Sequence, residues 1–123
     1  MTDYDRELLE AAARAAEMRI FGWTTDDNGI AVLELDDGSY WQPLHENQAT
    51  DCMGDALRLA IAMARKHPGT TFDIGVSLMY DGRGFSSAGL YSRDTPKASV
   101  CEPDLGAATR RAIVRAAAAE AQP

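Results

Sequence analysis

Four side chains in this sequence carry atoms suited to zinc-type ligation or nucleophilic chemistry: His45, Cys52, His67 and Cys101. A zinc site usually shows itself as close cysteine or histidine pairs, because each pair delivers two ligands from one turn of chain. None of the four is spaced in that way, so no metal is expected. Cys52 and His45 form the best enzymatic pair. A thiol in the first turn of a helix can have its pKa lowered, and a preceding imidazole could take its proton. No third residue is identifiable to orient that imidazole. Free cysteine is also among the most buried residue types, so a structural thiol is the expectation at Cys52. The carboxylate pairs Asp26-Asp27 and Asp36-Asp37 stand close to Gly29 and Gly38. That is turn composition, in which aspartate bonds its own backbone, whereas acid–base catalysis would need one carboxyl desolvated. Gly82-Arg83-Gly84 lies between two strand-like runs with no helix after it, so it reads as a hairpin and not as a phosphate cradle.

Arg110, Arg111 and Arg115 give one predicted helix a basic edge off its apolar stripe, and Arg58 and Arg65 do the same on another. A phosphate-bearing partner could use such an edge. Against it stands a formal charge of −7, from 19 acidic and 12 basic side chains, which opposes long-range attraction to polyanions and anionic membranes. Solvated arginines paired with surplus carboxylates are the simpler reading. Tyr40, Trp41, Tyr80 and Tyr91 are the aromatics that could anchor a protein partner, with sheet packing the better expectation for Trp41.

The elements that must position these groups follow from apolar periodicity. Thr2 or Asp3 caps a first helix whose stripe is Leu8, Leu9, Ala12, Ala15 and Ala16. Residues 18–23 read as a strand, 24–29 as a turn, and 30–35 as a strand apolar on both faces, the pattern of a strand covered on two sides. Asp36-Asp37-Gly38 turns the chain into a short return strand at Ser39-Tyr40-Trp41, which Pro43 stops. After a polar loop, Thr50 or Asp51 caps a second helix carrying Met53, Ala56, Leu57, Ala60, Ile61 and Ala64 at helical spacing. Phe72, Ile74, Val76 and Leu78 alternate with Asp73, Gly75, Ser77 and Met79, which predicts a half-buried strand. A turn at 80–84 leads into a return strand over 85–91, then a polar stretch containing Pro96 and Pro103. Asp104 caps the last helix, with Leu105, Ala108, Ala112, Ile113 and Ala116 inside and a tail expected to fray from Ala117.

The 123 residues suit a single domain, and 46% hydrophobic with 25% charged residues are ordinary globular proportions. The order of elements predicts an α+β fold: a three-layer α-β-α sandwich built on a small, mostly antiparallel sheet with three helices. No apolar stretch is long enough to span a membrane. The acidic N-terminus lacks signal-peptide character, so a cytoplasmic location with both cysteines reduced is the expectation.

Two helical runs and a short motif carry a family resemblance. Trp41-Gln42-Pro43-Leu44 precedes Gly54-Asp55-Ala56-Leu57-Arg58-Leu59-Ala60, and Ala108-Thr109-Arg110-Arg111-Ala112-Ile113-Val114-Arg115-Ala116-Ala117-Ala118 closes the chain. With the opening Asp5-Arg6-Glu7-Leu8-Leu9-Glu10-Ala11-Ala12-Ala13, this ordered set resembles the phage ABA-sandwich family of small phage and prophage proteins. The resemblance implies helices on either side of a central sheet, a phage accessory role, and no established activity or catalytic residue. The chain departs from the family pattern in the longer loop from His45 to Met53.

The functional expectation is therefore a non-catalytic phage accessory protein, without cofactor, that binds a host or phage protein; a component of host antiviral defence is one target. Tyr40, Tyr80, Tyr91, Arg110, Arg111 and Arg115 are the candidate contact residues. Two alternatives stay open: a nucleotide or nucleic-acid binder using the arginines of the last helix, and a thiol enzyme using Cys52 and His45. A homodimer through an open sheet edge beside the second hairpin also stays open.

Overall fold

The structure, a computed structural model, describes residues 2–90 and 98–121. These form α1 (Asp3–Ala15), β1 (Ile20–Thr25), β2 (Ala31–Leu35), β3 (Tyr40–Trp41), α2 (Cys52–Lys66), β4 (Phe72–Leu78), β5 (Gly84–Leu90), β6 (Ala98–Glu102) and α3 (Leu105–Glu120). The fold is the expected α+β sandwich. Its strands divide between two antiparallel three-stranded sheets, ordered β1-β2-β3 and β4-β5-β6. The physical cause is local. β3 is two residues long, Pro43 follows it, and the chain leaves the sheet before another strand can pair there.

Three hairpins share one turn chemistry. In each, a glycine with φ between 80° and 89° closes the turn: Gly29, Gly38 and Gly82. Their amides donate to Asp26 O, Leu35 O and Met79 O at 3.0, 3.0 and 2.9 Å. This three-residue loop ending in a left-handed residue favours glycine there. Aspartates lock each turn: Asp26, Asp37 and Asp81 accept from the amides of Asn28, Ser39 and Arg83 at 2.9, 2.9 and 3.0 Å. α1 is capped by Thr2, whose Oγ1 accepts from Asp5 N at 3.1 Å, and α3 by Asp104, which accepts from Gly106 N and Ala107 N. Asp51 is the N-cap of α2 by position, without a side-chain cap bond.

α3 is the hub. It packs against α1, α2 and all three strands of the second sheet. Ala108, Ala112, Ile113, Val114, Ala116, Ala117 and Ala118 are buried, so apolar contact surrounds most of the helix instead of forming one stripe. Small side chains allow this, since alanine permits close approach on several sides at once. At Gly84 the approach is closest: an added Cβ would lie 2.9 Å from Leu105 N. The first sheet is held to α1 by Trp23, whose Nε1 donates to Glu10 Oε1 at 2.7 Å under the guanidinium of Arg6. It is held to α2 by fully buried Trp41, whose Nε1 donates to Asp55 O at 3.0 Å.

Four expectations are corrected. The stripe of α2 is rotated: Ala56, Leu59, Ala60 and Met63 are buried, while Leu57 and Ile61 are exposed. Burial runs through Ala118 and α3 continues to Glu120, so the tail does not fray from Ala117. The stretch before Pro103 contains a further strand, β6, whose Val100 is buried opposite Ser86. The strand expected to be half-buried, β4, instead turns its apolar residues to solvent from Ile74 onward.

Candidate functional site

Two places bring together what chemistry or recognition would need. The first is a charged clasp centred on Asp5, a buried carboxylate in the first turn of α1. Its Oδ1 accepts from Arg111 Nη1 of α3 at 3.0 Å, and its Oδ2 lies 3.1 Å from Nε2 of His45, on the loop after β3. Arg111 Nε reaches Glu102 Oε1 at the end of β6, 3.2 Å away. One clasp thus joins α1, the 42–50 loop, β6 and α3. Burial pushes the Asp5 carboxyl up, but the hydrogen bonds and charges of Arg111 and His45 outweigh it and hold the group below its ordinary value. Arg111 is held above its ordinary value: burial opposes its charge, and Asp5 and Glu102 overcome that cost.

The 42–50 loop is fixed by a second polar cluster. Buried Gln42 donates from Nε2 to Ala31 O at 2.7 Å, and its Oε1 accepts from Leu44 N and His45 N at 2.9 and 3.3 Å. Gln42 N donates to Asp55 Oδ2 at 2.8 Å. Burial raises the Asp55 pKa, and the bonds from Gln42 and Thr50 and the charge of Arg58 only partly offset it. Farther along, Gln48 N donates to Asp26 Oδ2 at 2.8 Å. This folds the loop over Val32 and explains why β2 is buried on both faces.

These contacts decide where the sequence candidates stand. His45 is engaged with Asp5, and no hydrogen bond joins it to Cys52 among the described residues. Cys52 is half-buried and Cys101 exposed, so the buried thiol expected at Cys52 is corrected. A pocket of about 150 Å³ lies beside His45, lined also by Arg6, Thr25 and Ile30. Among the described residues, no group of three or more His, Cys, Asp or Glu side chains could hold a metal ion. Asp26 and Asp37 are turn acceptors, lowered in pKa chiefly by Gln48 N–H and by the Ser39 side chain respectively.

The arginines are not the solvated edge that periodicity suggests. Arg110 is buried, Arg111 is locked in the clasp, and Arg115 is half-buried. The buried Nε atoms of Arg110 and Arg115 lack a hydrogen-bond partner among the described residues. The reason is the central place of α3, which has neighbours on three sides. Tyr40 is exposed on the edge strand of the first sheet, beside a pocket of about 210 Å³ that it lines with Thr24, Val32 and Gln48. Tyr91 lies outside the described residues.

The second place is β4 and the hairpin that follows it. Ile74, Val76 and Leu78 are 37%, 53% and 68% exposed, Met79 is exposed, and Tyr80 projects fully into solvent at the turn. Among the described residues, β4 is an edge strand, bonded only to β5. A contiguous run of large apolar side chains on a free edge is unusual for a surface and marks contact sites. Of the aromatics singled out from sequence, Tyr80 belongs to this surface.

Asp5 and Asp55 escaped sequence reasoning, although a signal existed. Asp5 sits four residues before Leu9, and Asp55 four before Leu59, so each occupies the buried phase of its helix. Comparison of the chain with protein-family models, curated proteins and solved structures finds no match. Among the described residues, no helix is long and apolar enough to cross a membrane.

Proposed function

We propose that this chain is a non-catalytic accessory protein that acts by binding another protein through β4 and its hairpin. The observation that carries the reading is the exposed run of Val76, Leu78, Met79 and Tyr80 on a strand with a free edge. Exposed apolar runs of this kind mark protein contact sites, and aromatic side chains such as Tyr80 dominate them energetically. Asp5, Arg111 and Asp55 serve the clasp and the loop instead, which leaves them occupied with positioning. The resemblance to small phage proteins makes a host protein the natural partner, with an antiviral defence component as one target, in the host cytoplasm. The surplus negative charge suits a target with a basic surface around its apolar contact.

The test is affinity capture from a bacterial host lysate with the native chain and with a Leu78→Ser/Tyr80→Ser variant. A protein retained in stoichiometric amount by the native chain and lost by the variant is the expected result. Equal retention by both chains contradicts the reading. So does retention of polynucleotide alone that falls steeply with added salt, which favours a nucleic-acid binder.

A further inference from the structure

The edge of β4 has the geometry to pair with itself. Met79 N donates to Arg83 O at 2.8 Å across the hairpin, and Gly75 O accepts from Ser86 Oγ at 2.8 Å. Both place the odd-numbered backbone groups of this strand toward β5, in step with the pairs Ser77↔Phe85, Gly75↔Ser87 and Asp73↔Gly89. Antiparallel ladders alternate, so Ile74, Val76 and Leu78 turn their N–H and C=O groups outward to the free edge. The same three residues carry the exposed side chains. They lie on the face shared with Ala88, Ser86 and Gly84.

We infer that a second copy of this chain occupies the edge, antiparallel and related by a twofold axis through Val76. In that register Val76 faces Val76, and Ile74 faces Leu78 in both directions. All three are outward-bonding positions, so each facing pair exchanges two backbone hydrogen bonds. The side chains complement one another as well. The least exposed of the series, Ile74, meets the most exposed, Leu78, and a self-complementary patch of this kind is what an isologous dimer requires. The two sheets become one of six strands.

Charge selects the same place. The molecule carries −7, yet residues 74–80 contain no charged side chain, and Asp73 and Asp81 bracket the run. Centred on Val76, the pairing sets Asp73 opposite Met79, so no carboxylate faces another directly. The strand has neither lysine nor proline, the usual means of blunting an edge. A single strand pair buries less than a standard interface, so the dimer is of the weak, concentration-dependent class and strengthens as salt screens the like charges. The inference rests on the same surface as the binding reading and names the edge's occupant; the turn at Met79 and Tyr80 stays available to another protein.

Sedimentation equilibrium of the purified full chain tests it. The mass should climb from 13.3 kDa toward twice that value between low-micromolar and submillimolar concentration, and more readily at higher salt. Val76→Lys should stay monomeric throughout and melt as the native chain does in dilute solution, since residue 76 is exposed there. Val76→Cys should give a reductant-sensitive covalent dimer above the background of the native chain, because facing positions across such a pair lie within disulfide reach. Ser77→Cys should not. A native chain monomeric at every concentration overturns the inference, as does a Val76→Lys variant that still dimerises. If the native chain is monomeric while capture from lysate depends on Leu78 and Tyr80, self-pairing fails and the binding reading stands. If it dimerises while capture ignores those residues, the binding reading fails alone.

Discussion

The two sheets match in strand number and antiparallel order, yet the central strand of the first is covered on both faces, with Phe21 and Tyr40 exposed at its edges, while the second exposes a whole apolar edge strand. In the first, β2 is buried on both faces, because Trp41 and Leu33 face the helices while the 42–50 loop folds over Val32. In the second, β5 is buried along α3 but β4 overhangs the helices and exposes its apolar face. Polar groups separate the two cases. The first sheet is bordered by Gln42 and Asp55, which bond Ala31 O and the chain leaving β3. Hydrophobic burial alone is not directional; here the hydrogen-bonded 42–50 loop covers β2, while β4 keeps its apolar side chains exposed.

The comparison can be broken or sharpened by substitution. The largest effect is expected at the clasp. Asp5→Ala leaves the mostly buried Arg111 with only Glu102, and should cost about 3 kcal/mol, read by urea unfolding. Its pH dependence has a definite sign. Asp5 has a folded pKa below its ordinary 3.8, so it contributes stability above that value and loses it as pH falls through the folded value. The deficit of Asp5→Ala relative to the native chain should therefore shrink on acidification through the carboxylate range.

Next comes Gly84→Ala, whose Cβ would press on the backbone of Leu105 where α3 begins. Thermal unfolding should register a loss of about 2 kcal/mol, in the range of an overpacked core. Asp55→Ala removes the carboxylate that accepts from the buried Gln42 N–H and should cost about 1–3 kcal/mol. Asp55→Asn keeps an acceptor there and should cost less. The folded pKa of Asp55 is raised, so its ionisation weakens the fold as pH rises through that value, and the asparagine variant should improve against the native chain at neutral pH. The smallest effect belongs to the open strand: Val76→Lys should change stability by no more than about 0.5 kcal/mol, as an exposed position away from any clasp. A loss as large as at Asp5 would mean that β4 is part of the closed core.

Much of this was legible in the sequence. The three turns followed from aspartate and asparagine beside glycine, and the caps at Thr2 and Asp104 from hydroxyl and carboxylate chemistry. The double burial of β2 followed from its unbroken apolar run. What escaped depends on neighbours that periodicity does not reveal. The sequence of α3 suggests a one-faced helix with solvated, ion-paired arginines, because Ala-rich runs give weak contrast between faces. Arg111 is drawn inward by Glu102 at the end of β6 and by Asp5 on α1, which lies far away in sequence. β6 was hidden by the small polar residues around Val100. The alternation in β4 specifies a strand, but alternation shows which side chains share a face and leaves open whether anything covers it.

Residue-resolved amide hydrogen exchange along β4, in dilute and concentrated solution, addresses the open edge most directly. In dilute solution, Ile74, Val76 and Leu78 should exchange fast while Asp73, Gly75 and Ser77 are protected by β5; on concentration the first three should become protected too. Fast exchange at the even positions at every concentration, or protection there already complete in dilute solution, would contradict an edge that is free in the monomer and filled by a second copy.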